Sequence, residues 1–476
     1  LGGVAIGDVN GDARPDVVTF SGAQQVTAFN GDGEQLWRAK KGVTSNLPLL
    51  TLADVDANGV VDVIADNMRV NGVTGEIINW YGVQASVTYR MPAVADIDLD
   101  GQQEVILGNA VFSADGTRRW MVPTYGQYGH WSAILEADDD PQAEIAMIAS
   151  GRLRIFNHDG SVLFDVMSGN DHPGAPCVAD FDGDGEAEIA WASNNRFVVH
   201  NLDGTEVWAK AVNDNTGLLA TCSGFDFDGN GTFEIMYNDN ERAYIFDGRT
   251  GDILYQNSGH ASTTIWEYPT VADIDKDGSA EILVASNTWN NFNGWSGVTV
   301  LGHIHNQWMP AGPTWNTHDY SVTNVNDDGT IPATPEPSWQ KYNVYRARPA
   351  MSELVVDLQP NIVDVCFAGC MDDSAASISV QVYNAGSNNS SVGIPVALYA
   401  RDGQFLELLA VQRLTHRVAA GWVSDTVVFD VFGGQLGPDG FVIKVDDDGT
   451  GAELHPNECD ENNNSQEWTD LPCNRN

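Results

Sequence analysis

Short apolar runs of about four to six residues recur along the first 310 positions, separated by polar turns. None of them shows the 3.6-residue period of an amphipathic helix. Pro92-Ala93-Val94-Ala95 and Glu104-Val105-Ile106-Leu107-Gly108 are one such pair, with an acidic stretch between them. A third run follows, then a turn, then a fourth run that often carries a tryptophan. The turns include Gly31-Asp32-Gly33 before Trp37, Asp115-Gly116 before Trp120, Asp203-Gly204 before Trp208, and Asp159-Gly160 and Asp247-Gly248 elsewhere. Asp-Gly between apolar runs predicts a tight hairpin, because glycine adopts positive φ without steric cost. Each unit therefore predicts four antiparallel strands.

The acidic stretch sets the period. It has the form D-x-[DN]-x-[DN]-G-x-x-[DE] and begins at Asp8, Asp54, Asp96, Glu136, Asp180, Asp226 and Asp273, giving starts 40 to 47 residues apart. A repeat of that length, built from four short strands, predicts a ring of sheets. Residues 1–310 are accordingly expected to form a seven-bladed β-propeller, an all-β architecture whose first and last strands must meet. Residues 311–350 break the pattern with a proline-containing stretch, Pro332 to Pro337, and several aromatics (Trp315, Tyr320, Trp339, Tyr342, Tyr345). They read as a wrap on the propeller or a linker, and the aromatics favour the wrap. Residues 351–476 return to alternating runs, such as Ser377 to Tyr383, Ile394 to Tyr399 and Gly440 to Val445. Their spacing fits an Ig-like β-sandwich.

Within each loop, positions 1, 3 and 5 present oxygens to one centre and the acid at position 9 closes the shell. Calcium, a hard cation that takes six to eight oxygens, suits that set better than magnesium. The expected metal ligands are Asp8, Asn10, Asp12 and Asp16; Asp54, Asp56, Asn58 and Asp62; Asp96, Asp98, Asp100 and Glu104; Asp180, Asp182, Asp184 and Glu188; Asp226, Asp228, Asn230 and Glu234; and Asp273, Asp275, Asp277 and Glu281. Ala13 replaces glycine in the first loop, a mild strain. The fourth loop, Glu136 to Glu144, has Pro141 at that position, which cannot take positive φ. It is expected to be weak or empty. The cofactor expectation is thus Ca2+ at five to seven sites.

Composition sharpens the setting. A net charge of −43, with 66 acidic against 23 basic residues, argues against nucleic acid as a partner. No run of about 18 apolar residues occurs, so no membrane span is expected. The chain opens at Leu1 without an initiator methionine and reads as a trimmed product. Six cysteines suggest an oxidising, extracellular location. Cys177 and Cys222 occupy near-equivalent places before adjacent loops, so a disulfide between them is geometrically plausible. Cys366–Cys370 and Cys459–Cys473 are pairings to weigh, although four cysteines allow three connectivities.

The sevenfold loop, with its leading Val-Ala-Asp and trailing Glu-Ile, resembles the FG-GAP or VCBS repeats of integrin-α-type propellers. Trp315 to Pro332 is similar to a segment that follows such propellers in bacterial secreted proteins. The unit from Leu354, punctuated by Asn384-Ala385-Gly386 and Asp460-Glu461-Asn462-Asn463, resembles a CARDB-type adhesion sandwich. These resemblances imply a secreted or cell-surface, calcium-stabilised binding or adhesion protein. Its expected partner is a protein or glycan ligand, with self-association into a larger assembly.

Other constellations are less telling. His303, His305 and His318 suggest a transition-metal site, but ordinary polar positions are the simpler reading. Trp131, Trp266, Trp289 and Trp295 are candidates for stacking on sugar rings, although most propeller tryptophans are core between blades; a carbohydrate-active propeller, a polysaccharide lyase or lectin, is the alternative to a non-catalytic module.

Overall fold

The computed structural model describes residues 3–43, 48–83, 91–123, 129–167, 173–193, 195–214, 220–262, 267–288, 294–304, 306, 308–350, 356–369, 374–385, 390, 393–418, 422–450 and 463–469. The chain divides into two units. The first is Leu1–Ile274 with Ala280–Ala350, and the second is Met351–Asn476 with the short stretch Asp275–Ser279.

Apolar runs and turns of the first 302 residues fold into seven small antiparallel sheets taken in chain order. Sheet 1 is Val4–Gly7, Asp16–Phe20, Gln25–Phe29 and Gln35–Gly42, and sheet 2 is Leu50–Ala53, Asp62–Ala65, Met68–Asn71 and Ile77–Trp80. Sheet 3 is Ala93–Ala95, Glu104–Leu107, Ala110–Phe112 and Arg118–Met121, and sheet 4 is Gly129–Leu135, Glu144–Ala149, Arg152–Phe156 and Val162–Met167. Sheet 5 is Cys177–Ala179, Glu188–Ser193, Arg196–Asn201 and Glu206–Ala211, and sheet 6 is Cys222–Phe225, Glu234–Asn238, Ala243–Phe246 and Ile253–Asn257. Sheet 7 has three strands among the described residues, Thr270–Ala272, Glu281–Ser286 and Gly297–Gly302, where four were expected. The first strands of sheets 1 to 6 lie side by side in order.

The second strands are buried along nearly their whole length, as in Glu144–Ala149 and Glu188–Ser193, because a sheet packs on each face. Fourth strands alternate between buried and exposed residues. Their tryptophans clamp the neighbouring sheet. Trp37 donates from Nε1 to Gly72 O at 2.5 Å, Trp120 to His158 O at 2.8 Å and Trp208 to Gly248 O at 2.6 Å. Each indole also covers a glycine of positive φ in that hairpin, Gly75, Gly160 or Gly251, where a Cβ would fall 2.5–2.8 Å from the ring. In sheet 6 the turn glycine of positive φ is Gly251 rather than Gly248.

No strand of sheet 1 pairs with sheet 7 among the described residues, so the expected meeting of first and last strands is not how the sheets are joined. Residues 311–350 do that work as a strap along the first strands. Gly312 O accepts Asp273 N–H at 3.2 Å and Asn316 O accepts Ile6 N–H at 3.0 Å, tying sheet 7 and sheet 1 to one segment. Asp319 Oδ1 accepts the Thr51 and Thr317 hydroxyls at 2.5 Å, and Tyr345 exchanges both backbone bonds with Val178. Ala347–Arg348 adds a parallel strand to sheet 6. Arg346, 1% exposed, donates to His318 O and Pro176 O at 2.6 Å each. Trp315 stacks on Tyr320 with ring centroids 4.2 Å apart, and Tyr320, Trp339 and Tyr345 are buried.

Cys177 and Cys222 form a disulfide between the first strands of sheets 5 and 6, as expected. The second unit contains a three-stranded sheet (Leu358–Phe367, Ala375–Asn384, Val427–Phe432) and a four-stranded sheet (Phe405–Arg413, Pro395–Asp402, Phe441–Val445, Ser465–Trp468). They share one core that includes Ile378, Val380, Val396, Leu398 and Ile443. Cys366 is a free, exposed thiol. Cys370, Cys459 and Cys473, and most of the Asp460-Glu461-Asn462-Asn463 punctuation, lie outside the described residues.

Candidate metal centres

Every acidic loop sits at the same place, between the first and second strands of its sheet. Position 1 directly follows the first strand, and position 9 opens the second: Asp16, Asp62, Glu104, Glu144, Glu188, Glu234 and Glu281. All seven of these acids are buried. Each accepts the N–H of loop position 2, from Val9 to Asp16 at 3.1 Å through Ile274 to Glu281 at 3.0 Å. A second bond recurs as faithfully. The position-5 oxygen accepts the N–H of position 7, as in Asp184 with Glu186 at 2.9 Å and Asn230 with Thr232 at 2.8 Å.

The position-1 aspartate gathers the N–H groups of positions 4 to 6. Asp226 takes those of Gly229, Asn230 and Gly231 at 2.8, 3.2 and 3.0 Å. This curl needs left-handed backbone at position 6, which Gly59, Gly101, Gly185, Gly231 and Gly278 supply and Ala13 adopts at φ 63°. Position 4 is left-handed too, in Gly11, Gly183 and Gly229 but also in Ala57, Leu99, Asp139 and Lys276. That second requirement was not read from the sequence, since no single residue type marks it.

The curl brings acids together. Asp54, Asp56 and Asp62; Asp96, Asp98 and Glu104; Glu136, Asp138 and Glu144; Asp180, Asp182 and Glu188; and Asp226, Asp228 and Glu234 each place three oxygens within 4.8 Å of one another. Burial pushes the Glu104 and Glu234 carboxyls up to about 7 and those of Glu144 and Glu188 to about 8, with neighbouring acids adding to the rise. Such a group favours a cation that holds it ionised. Oxygen donors of this kind fit a hard divalent ion. Among the described residues, Oε1 of the fully buried Glu144 has no hydrogen-bond partner.

Pro141 has no N–H to give, so Glu136 Oε1 takes those of Asp138 and Asp139, at 2.9 and 2.6 Å, where Asp8, Asp54, Asp96, Asp180 and Asp226 take the position-6 N–H. The strap occupies the outside of this loop. Asn343 pairs both ways with the Glu136 backbone, and Pro141 O accepts from Trp339 Nε1 at 3.2 Å and Gln340 Nε2 at 2.6 Å. In loops two and three a guanidinium lies across two of the three carboxylates, Arg69 on Asp56 and Asp62 and Arg119 on Asp98 and Glu104.

The remaining candidates separate. His318 is buried with Nδ1 on Leu50 O at 3.1 Å, and His305 lies outside the described residues. Trp131 is fully buried and donates to Pro173 O at 2.6 Å, which rules it out as a sugar platform. Trp295 is 42% exposed, whereas Trp266 and Trp289 lie outside the described residues. A cavity of about 220 Å³ beside loop three, lined by Asp96, Leu99, Ile134, Asp319 and Trp339, went unpredicted because the strap forms one wall.

No family model and no curated protein matches this chain, so neither the FG-GAP/VCBS nor the CARDB resemblance is established by sequence comparison. Among solved structures it is similar to the V. cholerae biofilm matrix protein Bap1. The identity is 16% and the TM-score 0.62, over 73% of this chain and 84% of that one. BamB from Moraxella catarrhalis (15% identity, TM-score 0.42, 64% and 82% covered) and the exotype rhamnogalacturonan lyase YesX (14%, 0.42, 69% and 66%) are more distant. The likeness to Bap1 is one of β-rich fold.

Proposed function

We propose that this chain is an extracellular, non-catalytic binding or adhesion protein: a seven-bladed propeller stiffened by calcium, followed by an Ig-like sandwich. The observation that carries the reading is the buried acid opening the second strand of all seven sheets, set among further carboxylates. A loop that dense in like charge is stable when a cation neutralises it. Ligands at Asp180, Asp182, Asp184 and Glu188, and at their equivalents in loops whose acids no arginine spans, would fix those inter-strand turns, leaving the rest of the surface for a protein or glycan partner. The disulfide supports an oxidising, extracellular location, and the fold likeness to a biofilm matrix protein is in keeping with adhesion. The buried histidines among the described residues, His200, His260 and His318, are engaged at Nδ1 with Gly204 O, Ser286 Oγ and Leu50 O.

Thermal melting of the whole chain in calcium and in chelator tests the metal. The midpoint is expected to fall on chelation, and an unchanged midpoint refutes structural calcium. A glycan array in calcium buffer tests the partner class. Turnover of an acidic polysaccharide to unsaturated products would overturn the non-catalytic reading.

A further inference from the structure

We propose that the loops beginning at Asp54 and Asp96 carry their cation within the chain, as the guanidinium of Arg69 and of Arg119, and bind no metal ion. Among the described residues no guanidinium comes within ion-pair distance of the acids in the loops beginning at Asp180 and Asp226, and these are the ones calcium fills. This inference rests on the reading of the acidic loops as calcium sites.

Arg69 Nη2 stands 2.7 Å from Asp56 Oδ2 and 2.8 Å from Asp62 Oδ2, so it bridges positions 3 and 9 of its loop. Its side chain is 3% exposed, and Nη1 donates to Ala114 O at 2.9 Å, which anchors the head from the neighbouring sheet. The slot is unusual for an arginine. Arg69 lies opposite Ile64, two residues beyond the position-9 acid. In sheets 1, 3, 4, 5 and 6 the same register places Ala28, Val111, Ile155, Val199 and Ile245. Five apolar residues and one buried arginine mark a position where charge is tolerated because the loop above it supplies two carboxylates.

Arg119 reaches the same pair from a different strand. Nη1 is 2.6 Å from Glu104 Oε1 and Nη2 bonds Asp98 Oδ2. It immediately precedes the clamp tryptophan Trp120, where sheets 1 and 5 have Leu36 and Val207 before Trp37 and Trp208. Two independent positions thus converge on one outcome, a guanidinium at ion-pair distance from carboxylates 3 and 9. A divalent ion using those oxygens would meet the guanidinium at ion-pair distance, and the two cations exclude each other. In the fifth and sixth loops Asp182, Glu188, Asp228 and Glu234 make no ion pair among the described residues. Arg249 passes Gly183 without forming one.

Equilibrium dialysis of the full chain against calcium, with folding checked by circular dichroism, reads the number of ions bound. Glu104→Gln is expected to leave that number unchanged, while Glu188→Gln and Glu234→Gln each lower it by one. Arg119→Met and Arg69→Met are each expected to raise it by one. Loss of an ion in Glu104→Gln, or no gain in Arg119→Met, overturns the inference. A parent that binds no calcium defeats the calcium reading itself. In that event a first ion gained by Arg119→Met still upholds the exclusion by arginine, and none gained overturns it. Should Arg69→Met fail to fold, Arg119, whose side chain is 29% exposed, and the buried Glu104 decide the matter alone.

Discussion

Replacing Gly251 by alanine separates the inter-sheet clamp from ordinary turn strain, because the effect depends on whether Trp208 is present. Gly251 has φ +66°, and a Cβ there would lie 2.5 Å from Trp208 Cε3 and 2.6 Å from Cδ2. The left-handed backbone alone costs alanine about 1 kcal/mol. Overlap with a ring held in place adds about 1–3 kcal/mol, so Gly251→Ala is expected to destabilise by about 2–4 kcal/mol. Trp208→Ala removes an indole only 8% exposed and strands Gly248 O, a loss of about 3–5 kcal/mol. With the ring gone, the added methyl meets its own backbone strain and Lys210 Cε at 2.9 Å, the far end of a flexible side chain that can move aside. A double-mutant cycle should therefore return a coupling of about 1–3 kcal/mol, with Gly251→Ala milder in the Trp208→Ala background. The assay is urea unfolding in calcium buffer followed by far-UV circular dichroism, which the missing tryptophan does not distort. Equal costs of Gly251→Ala in both backgrounds would show that the indole does not hold the neighbouring hairpin.

Three further outcomes follow from the same geometry. Cys177→Ala with Cys222→Ala frees a loop of 45 residues and should lower unfolding free energy by about 4 kcal/mol on loop entropy; a loss below about 1 kcal/mol by urea denaturation contradicts that. Ala13→Gly relieves a φ of 63° and should stabilise by about 0.5–1 kcal/mol, and a lowered melting temperature would refute the strain. Burial pushes His260 and His318 down to about 4, so the unfolded chain takes up protons first as pH falls below about 6.5. The stability these neutral histidines carry is present above that pH and lost toward pH 4, by up to about 3 kcal/mol each. A His260→Gln variant whose melting temperature falls as steeply with acid as the parent's would refute it for that residue.

Much of the candidate site was legible because it is local. Asp180 to Glu188 fold onto themselves, and the alternation of acids with a glycine at position 6 is written within nine residues. The strain at Ala13 was legible for the same reason. Position 4 was hidden because Ala57, Leu99 and Lys276 adopt left-handed backbone without advertising it. Trp131 is buried, as most propeller tryptophans are expected to be, and its Nε1 is used by Pro173 O.

The sequence by itself determined the repeat, the strands that flank it and where each acid stands, since these depend on neighbours a few residues apart and on the alternation of a pleated strand. Only the tertiary structure decided what lies against each loop. Arg69 is seven residues beyond Asp62, the last acid of the loop it neutralises, but its head is fixed by Ala114 of the next sheet. Residues 311–350 join sheets 1 and 7 by backbone bonds to Asp273 and, at the far end of the chain, to Ile6. Such pairings depend on how the sheets are stacked, and carbonyl acceptors carry no side-chain signature by which a sequence could announce them.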